Sequence, residues 1–317
     1  MIETNNLVEL LPWKELIESL NDIFQQEYNC PIRHHHGINV PGSDEATLLL
    51  MPSWIDGQYI GVKQVNVFPG NHRRGMPGLS SHYLLSSGET GELLARLDGN
   101  VITARRTAAA SALGTRYLSR PDSKRLLMVG AGRVARNVVP ATASIRPIEH
   151  VDVWNISEDN AEKFVSELKG QGYSARRVDQ GSLEEAVGQA DIISCATLSK
   201  TPLILGDWVK EGTHVDLIGS FTPKMREADD TLMSKAHVFA DFREAALQET
   251  GDLIDPIRSG AISEASVEAD FIDLSKGVHA GRAGLLGGDK AITVFKAVGS
   301  SIEDLAAAIL AYNKLIA

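Results

Sequence analysis

The sequence predicts an α/β protein in which a doubly wound parallel sheet follows an α+β segment. Leu126-Leu127-Met128-Val129 is a continuous apolar run without alternation, the pattern of a strand covered on both faces. From there to His237-Val238-Phe239-Ala240, apolar strands alternate with helical stretches, the order of strand–helix–strand units. Before Arg125 the strands instead follow one another, separated only by Gly, Pro, Ser and Asp clusters.

The elements follow in order. Residues 13–25 place Leu16, Ile17, Leu20, Ile23 and Phe24 on one helical face. Residues 47–51, 59–65 and 81–85 read as strands, and Gly88-Glu89-Thr90-Gly91 as a turn, so this sheet is expected to be antiparallel. The Ala-rich run 107–112 puts a helix over residues 103–118, ended ahead of Pro121 because the residue before proline avoids the αR region. Strands are then expected at 126–129, 151–154, 175–178, 191–195, 214–218 and 237–240, with helices at 158–169 and 182–190 and right-handed connections. Ser300-Ser301-Ile302-Glu303 has the form of a capping box, and Ile302, Leu305, Ile309 and Leu310 continue as a helical apolar stripe. No internal repeat or low-complexity tract interrupts this order.

Composition narrows the class. With 317 residues, 43% hydrophobic and 23% charged, the chain has ordinary globular composition, which excludes disorder, collagen and coiled coil. At ~100–200 residues per domain, the length predicts two domains. Two cysteines, Cys30 and Cys195, cannot build a disulfide framework. A net charge of -10 without a basic block argues against nucleic acid and anionic membranes as partners. The opening Met1-Ile2-Glu3-Thr4-Asn5-Asn6 lacks the cationic and apolar regions of a leader, and no apolar run approaches the ~18–20 residues that span a bilayer. A cytoplasmic globular protein is expected, and 28 glycines point to tight backbone work.

Gly130-Ala131-Gly132-Arg133-Val134-Ala135 directly follows the buried strand and opens a helix, matching the alanine-ended Rossmann fingerprint G-x-G-x-x-A. Gly130 would allow the tight turn, Gly132 would let backbone amides approach a pyrophosphate, and Ala135 would allow close helix–strand packing. The helix N-terminus adds partial positive charge. Pro140 should kink or shorten that helix. Where an NAD enzyme carries Asp or Glu for the ribose 2′-hydroxyl, this chain has Asn155-Ile156-Ser157. The missing carboxylate favours NADPH and leaves NADH acceptable. The expected cofactor residues are Gly130, Ala131, Gly132, Arg133, Val134, Asn155, Ile156, Ser157 and Thr197.

Three further segments carry a more specific signal. Asp98-Gly99-Asn100-Val101-Ile102-Thr103-Ala104-Arg105-Arg106-Thr107-Ala108-Ala109 and Ile292-Thr293-Val294-Phe295-Lys296-Ala297-Val298-Gly299-Ser300-Ser301-Ile302-Glu303-Asp304 resemble signatures of the ornithine cyclodeaminase/mu-crystallin family, with Gly61-Val62-Lys63 in the family's order. The resemblance implies a Rossmann domain (residues 119–291) inserted into an α+β substrate-binding and dimerisation domain (1–118 and 292–317), in a homodimer. It also implies that Arg33, Lys63 and Arg106 meet a small substrate, the arginines clamping a carboxylate and Lys63 acting as catalytic acid. His82 resembles a cofactor-side histidine of the mu-crystallin branch. In the loop Leu217-Ile218-Gly219-Ser220-Phe221-Thr222-Pro223, Phe221 stands where cyclodeaminases carry an aspartate, so ornithine cyclodeamination is disfavoured. The loop resembles instead the bacterial ketimine reductases of Δ1-pyrroline-2-carboxylate and Δ1-piperideine-2-carboxylate. In them Phe221 would face a flat cyclic imino acid while Ser220 or Thr222 bonds substrate or nicotinamide. The alternatives are another family activity (alanine dehydrogenase, opine-type or other imine reductase, cyclodeaminase) or a non-enzymatic role in binding NADPH and a ligand.

Other features are read as structural. His34-His35-His36 would point to alternating faces with no Cys or carboxylate beside them, so no metal is expected and a partly solvated loop is. Glu184-Glu185, Asp229-Asp230 and Glu303-Asp304 are taken as acids complementing helix dipoles. Cys195 reads as an inert buried thiol, and Arg105-Arg106 as too small a basic group for nucleic acid.

Overall fold

The computed structural model describes residues 4–317, so Met1, Ile2 and Glu3 of the opening segment lie outside the described residues. In chain order the elements are α1 (Thr4–Glu9), α2 (Trp13–Ile23), β1 (His34–Ile38), β2 (Ala46–Ile55), β3 (Tyr59–Val67), β4 (Leu79–Ser87), β5 (Leu93–Asp98) and α3 (Gly99–Leu118). Next come β6 (Arg125–Val129), α4 (Arg133–Ala143), β7 (His150–Trp154), α5 (Glu158–Gly170), β8 (Ala175–Arg177), α6 (Leu183–Gln189), β9 (Ile192–Cys195) and β10 (His214–Leu217). The chain closes with α7 (Asp230–Lys235), β11 (His237–Ala240), α8 (Arg243–Glu249), α9 (Gly251–Ser259), β12 (Val267–Ala269), α10 (Phe271–Ser275), β13 (Thr293–Lys296) and α11 (Ser301–Ile316).

These elements form two compact units: residues up to Arg106 with Ser300–Ala317, and Thr107–Gly299. In the first unit β1 to β5 make an antiparallel sheet in sequential order. Alternation sends Gly61, Lys63 and Val65 of β3 to the buried face, where α11 packs, and Ile60, Val62 and Gln64 to the other. The histidines 34–36 lie on β1, an edge strand, and not in a loop. The helix expected from residue 103 starts at Gly99, because Asp98 Oδ1 accepts the amides of Asn100 (2.7 Å) and Val101 (3.2 Å) and so caps it.

The second unit holds an eight-stranded parallel sheet in the order β12-β11-β13-β10-β9-β6-β7-β8. Residues 293–296, expected in the substrate domain, form β13 between β10 and β11. The compact units therefore divide at Ser300 where 292 was expected. They also divide inside α3 where 118 was expected, because the second half of that helix packs on this sheet: Ser111 donates its hydroxyl to Asp216 of β10. Pro140 does not end α4: the helix, 11 residues long, runs through the proline to Ala143. Among the described residues no helix is long and apolar enough to cross a membrane.

Candidate active site

The first unit gathers four charges on the buried face of its sheet. Lys63 Nζ lies 2.6 Å from Asp304 Oδ2, and Arg106 Nε donates to Asp304 Oδ1 at 2.8 Å. Arg106 Nη1 donates to Glu303 Oε2, also at 2.8 Å. Lys63 is 2% exposed, Arg106 6%, and both acids are fully buried. Glu303 and Asp304 were expected to complement a dipole; they are instead the counter-ions of the two cations the family signature singled out. The capping box does not form, because Glu303 turns to Arg106 and Ser300 donates its hydroxyl to Glu303 Oε1 (3.2 Å) and accepts no helix amide. The signal for this role was the company the acids keep: Ile302, Leu305, Ala306 and Ala307 surround them in sequence, and every one is buried.

Burial penalises the Lys63 charge, and although Asp304 restores part of it, Arg106 and Arg33 work the other way, so its pKa drops to about 8. Burial also works against Arg106, but Asp304 and Glu303 outweigh it and hold its pKa above the ordinary range. Burial alone would raise Asp304, yet Lys63 and then Arg106 overcome it and keep the carboxylate below its usual range. The group that can exchange a proton near neutrality is therefore Lys63. Its neighbour Gly61 has to be glycine: a Cβ there would lie 1.9 Å from the hydroxyl oxygen of buried Tyr83, which faces Lys63 across the β3–β4 ladder.

Arg33 is half-buried, and its charge is one of those that depress Lys63. Arg106 is held through two nitrogens by the acids. His82 is exposed and pairs with Gln64 and Asp98, which puts it on the sheet face opposite Lys63. Arg105 stacks over Trp13 at 3.6 Å and donates to the Leu11 carbonyl, holding α3 to the segment around α2.

In the second unit the glycine loop has the expected geometry. Gly130 has φ 115°, and a Cβ on it would lie 2.6 Å from the Ala196 carbonyl oxygen. Gly132 caps α4 with nothing within 4 Å of where its Cβ would be, leaving room for a phosphate at the helix N-terminus. Ala131 is buried, Arg133 exposed, Val134 half-buried and Ala135 fully buried against the sheet. At the end of β7, Asn155 donates to the Ser157 carbonyl (3.0 Å), Ile156 is 85% exposed, and Ser157 caps α5. These residues fit a dinucleotide. Thr197 follows β9, and both its amide and its hydroxyl donate to Glu227 Oε1.

The β10 loop departs from expectation at one residue. Ser220 is fully buried, with its hydroxyl donating to the Met225 carbonyl and paired with Thr250 Oγ1, both at 2.6 Å, so it shapes the loop and offers nothing to a ligand. Phe221 is 51% exposed, and Thr222 is half-buried with its carbonyl accepting from Met225 and Gly251. Sequence reasoning missed Glu227, whose only trace was its place at the end of this loop. Among the described residues no group of His, Cys, Asp and Glu could hold a metal, the histidines of β1 included.

Comparison with known proteins gives a consistent picture. The ornithine cyclodeaminase/mu-crystallin family model matches residues 1–317. A Δ1-pyrroline-2-carboxylate reductase of Paracoccus denitrificans is 41% identical, over 93% of this chain and 90% of its own. The solved structure of Thermococcus litoralis Δ1-pyrroline-2-carboxylate reductase, in complex with NADH and L-proline, is 35% identical with a TM-score of 0.89, covering 98% of this chain and 96% of that one. An archaeal alanine dehydrogenase dimer with bound NAD is 28% identical with a TM-score of 0.87, covering 98% and 94%.

Proposed function

Because the chain belongs to the ornithine cyclodeaminase/mu-crystallin family, we propose that it is an NAD(P)H-dependent reductase of cyclic ketimines. It converts Δ1-pyrroline-2-carboxylate to L-proline and Δ1-piperideine-2-carboxylate to L-pipecolate. The observation that carries this reading is Lys63, a buried ammonium with a pKa of about 8 held on Asp304, the feature an imine reduction requires. Kinship with a reductase whose structure contains NADH and L-proline points the same way.

When bound, NAD(P)H supplies the hydride. The chain's own residues supply the rest. Arg33 binds the substrate carboxylate and fixes the ring. Lys63 keeps the ring nitrogen protonated, which turns an imine into the better hydride acceptor. Adding one hydride at carbon and one proton at nitrogen converts C=N to CH–NH. Asp304 holds Lys63 in place, and Arg106 holds Asp304 in turn. Phe221 stands where cyclodeaminases carry an aspartate, so that position offers no carboxylate to ornithine's distal ammonium. Oxidation of NADH or NADPH on adding Δ1-pyrroline-2-carboxylate is the direct test. No oxidation with either cofactor, or ammonia release from ornithine, would overturn the reading.

The same proposal includes a cytoplasmic homodimer, as does the role of the first unit in binding substrate. On the outer face of its sheet Ile60 and Leu84 are 37% and 40% exposed beside half-buried Leu50 and Val62, a patch suited to a second copy. Sedimentation equilibrium should give a dimer for the wild type and a monomer for Leu84→Glu. A monomeric wild type would sink the dimer.

A further inference from the structure

We propose that Glu227 is a positioning residue for the nicotinamide half of the dinucleotide site, tying together the segments that leave β9 and β10. The inference rests on the dinucleotide reading of the second unit. Glu227 is fully buried. Its Oε1 accepts the Thr197 amide at 2.8 Å and the Thr197 hydroxyl at 2.7 Å, and its Oε2 accepts the Gly219 amide at 2.7 Å. The two segments touch at this point: a Cβ on Gly219 would lie 2.0 Å from the Thr197 carbonyl oxygen.

Glu227 is itself anchored. Its amide donates to Asp252 Oδ1 at 2.7 Å. Asp252 Oδ2 lies 3.1 Å from Lys296 Nζ, which donates to the Leu217 carbonyl at 3.0 Å. A run of charged, buried groups thus extends from β13 through α9 to both segments. Backbone amides withdrawn from water need acceptors, and here one side chain serves two of them, on the segments that leave two different strands.

Three donors converge on this carboxylate, and two of them, the Thr197 and Gly219 amides, reach different oxygens and cannot accept a hydrogen bond. A glutamine in its place must turn its NH₂ toward one of these two amides, which releases one segment while keeping side-chain size. The location gives the release a defined consequence. β6, β7 and β8 form one mononucleotide-binding half, and β9 and β10 begin the other, with the strand order reversing between β6 and β9. AMP fills the first half only. NADH needs both.

The test is isothermal titration of NADH and of AMP into the wild type, Glu227→Gln and Thr197→Val, with melting temperatures measured alongside. Glu227→Gln should weaken NADH roughly tenfold to a hundredfold, the worth of one charged hydrogen bond, and leave AMP within about twofold. Thr197→Val, which removes the hydroxyl's bonds to Glu227 and from the Ser199 amide but keeps the Thr197 amide on Glu227, should weaken NADH a few-fold and fold normally even if Glu227→Gln does not. Equal weakening of NADH and AMP would mean general loosening, and unchanged NADH affinity in both variants would mean a purely structural carboxylate; either result overturns the inference. A wild type that binds neither ligand would overturn the dinucleotide reading itself.

Discussion

In the first unit two cations, Lys63 and Arg106, meet two carboxylates, Glu303 and Asp304; in the second, Lys296 shares its surroundings with three, Asp216, Glu227 and Asp252. Both groups are buried, and burial penalises charge in each. The balance of signs decides which group yields. In the matched cluster the cost falls on the lysine, because burial together with Arg106 and Arg33 outweighs Asp304. In the carboxylate-rich cluster it falls on an acid: burial drives Asp216 up to about 7, against hydrogen bonds from Ser111 and Ser194 and the charge of Lys296. A proton is mobile near neutrality in each, on a base in the first and on an acid in the second. Composition of the buried set, more than depth, decides the use.

The sharpest break of this contrast is Lys63→Ala. It should lower kcat/KM for cyclic ketimine reduction by about 10²–10⁴-fold, the usual worth of a positioned acid, with circular dichroism unchanged. Near wild-type turnover would remove the role given to Lys63.

Asp304→Asn comes next. It leaves two cations facing one carboxylate and should cost about 3–5 kcal/mol of stability, read from urea unfolding. It also has a kinetic sign. The wild-type kcat/KM should fall as pH rises through about 8, where Lys63 loses its proton. Asp304 favours the charged lysine, so without it the alkaline limb should move to lower pH. A limb that stays in place would show that Lys63 is not the group titrating.

Asp216→Asn is the smallest effect and tests the other cluster. The folded value near 7 lies above the 3.8 of an ordinary aspartate, so the native chain holds this proton more tightly than the unfolded chain. Its stabilising contribution is complete below about 4 and is lost as pH rises through about 7. The variant should flatten that decline in the urea midpoint while leaving ketimine reduction near the wild-type rate.

The parallel sheet and the glycine loop were legible because their signals are local: apolar runs without alternation, and glycines at fixed spacing after a strand. β13 carries the same apolar signal in Thr293-Val294-Phe295, but it runs directly into the family signature that continues to Asp304, which hides its place in the other sheet. β1 was not legible, since an edge strand of exposed histidines offers no apolar pattern. The site divided along the same line. Lys63 and Arg106 could be found from the motifs around them, whereas the acids that complete them could not, because Arg106 meets Asp304 across 198 positions. Ser220 shows the remaining gap: a hydroxyl in a loop motif reads as a ligand donor until the fold turns it inward.

The passage of the chain from one unit to the other has a consequence for the order in which the protein is made. Arg106 is the last residue of the first unit before the chain leaves it, and Glu303 and Asp304 arrive just after it returns at Ser300. A nascent chain carries Lys63 and Arg106 early but acquires their counter-ions only when α11 emerges, after the whole second unit. Contacts so distant in sequence form late in folding. The charge cluster around Lys63 therefore comes into being with the final helix, and a ribosome that stalls within the second unit releases a chain in which that cluster has not been assembled.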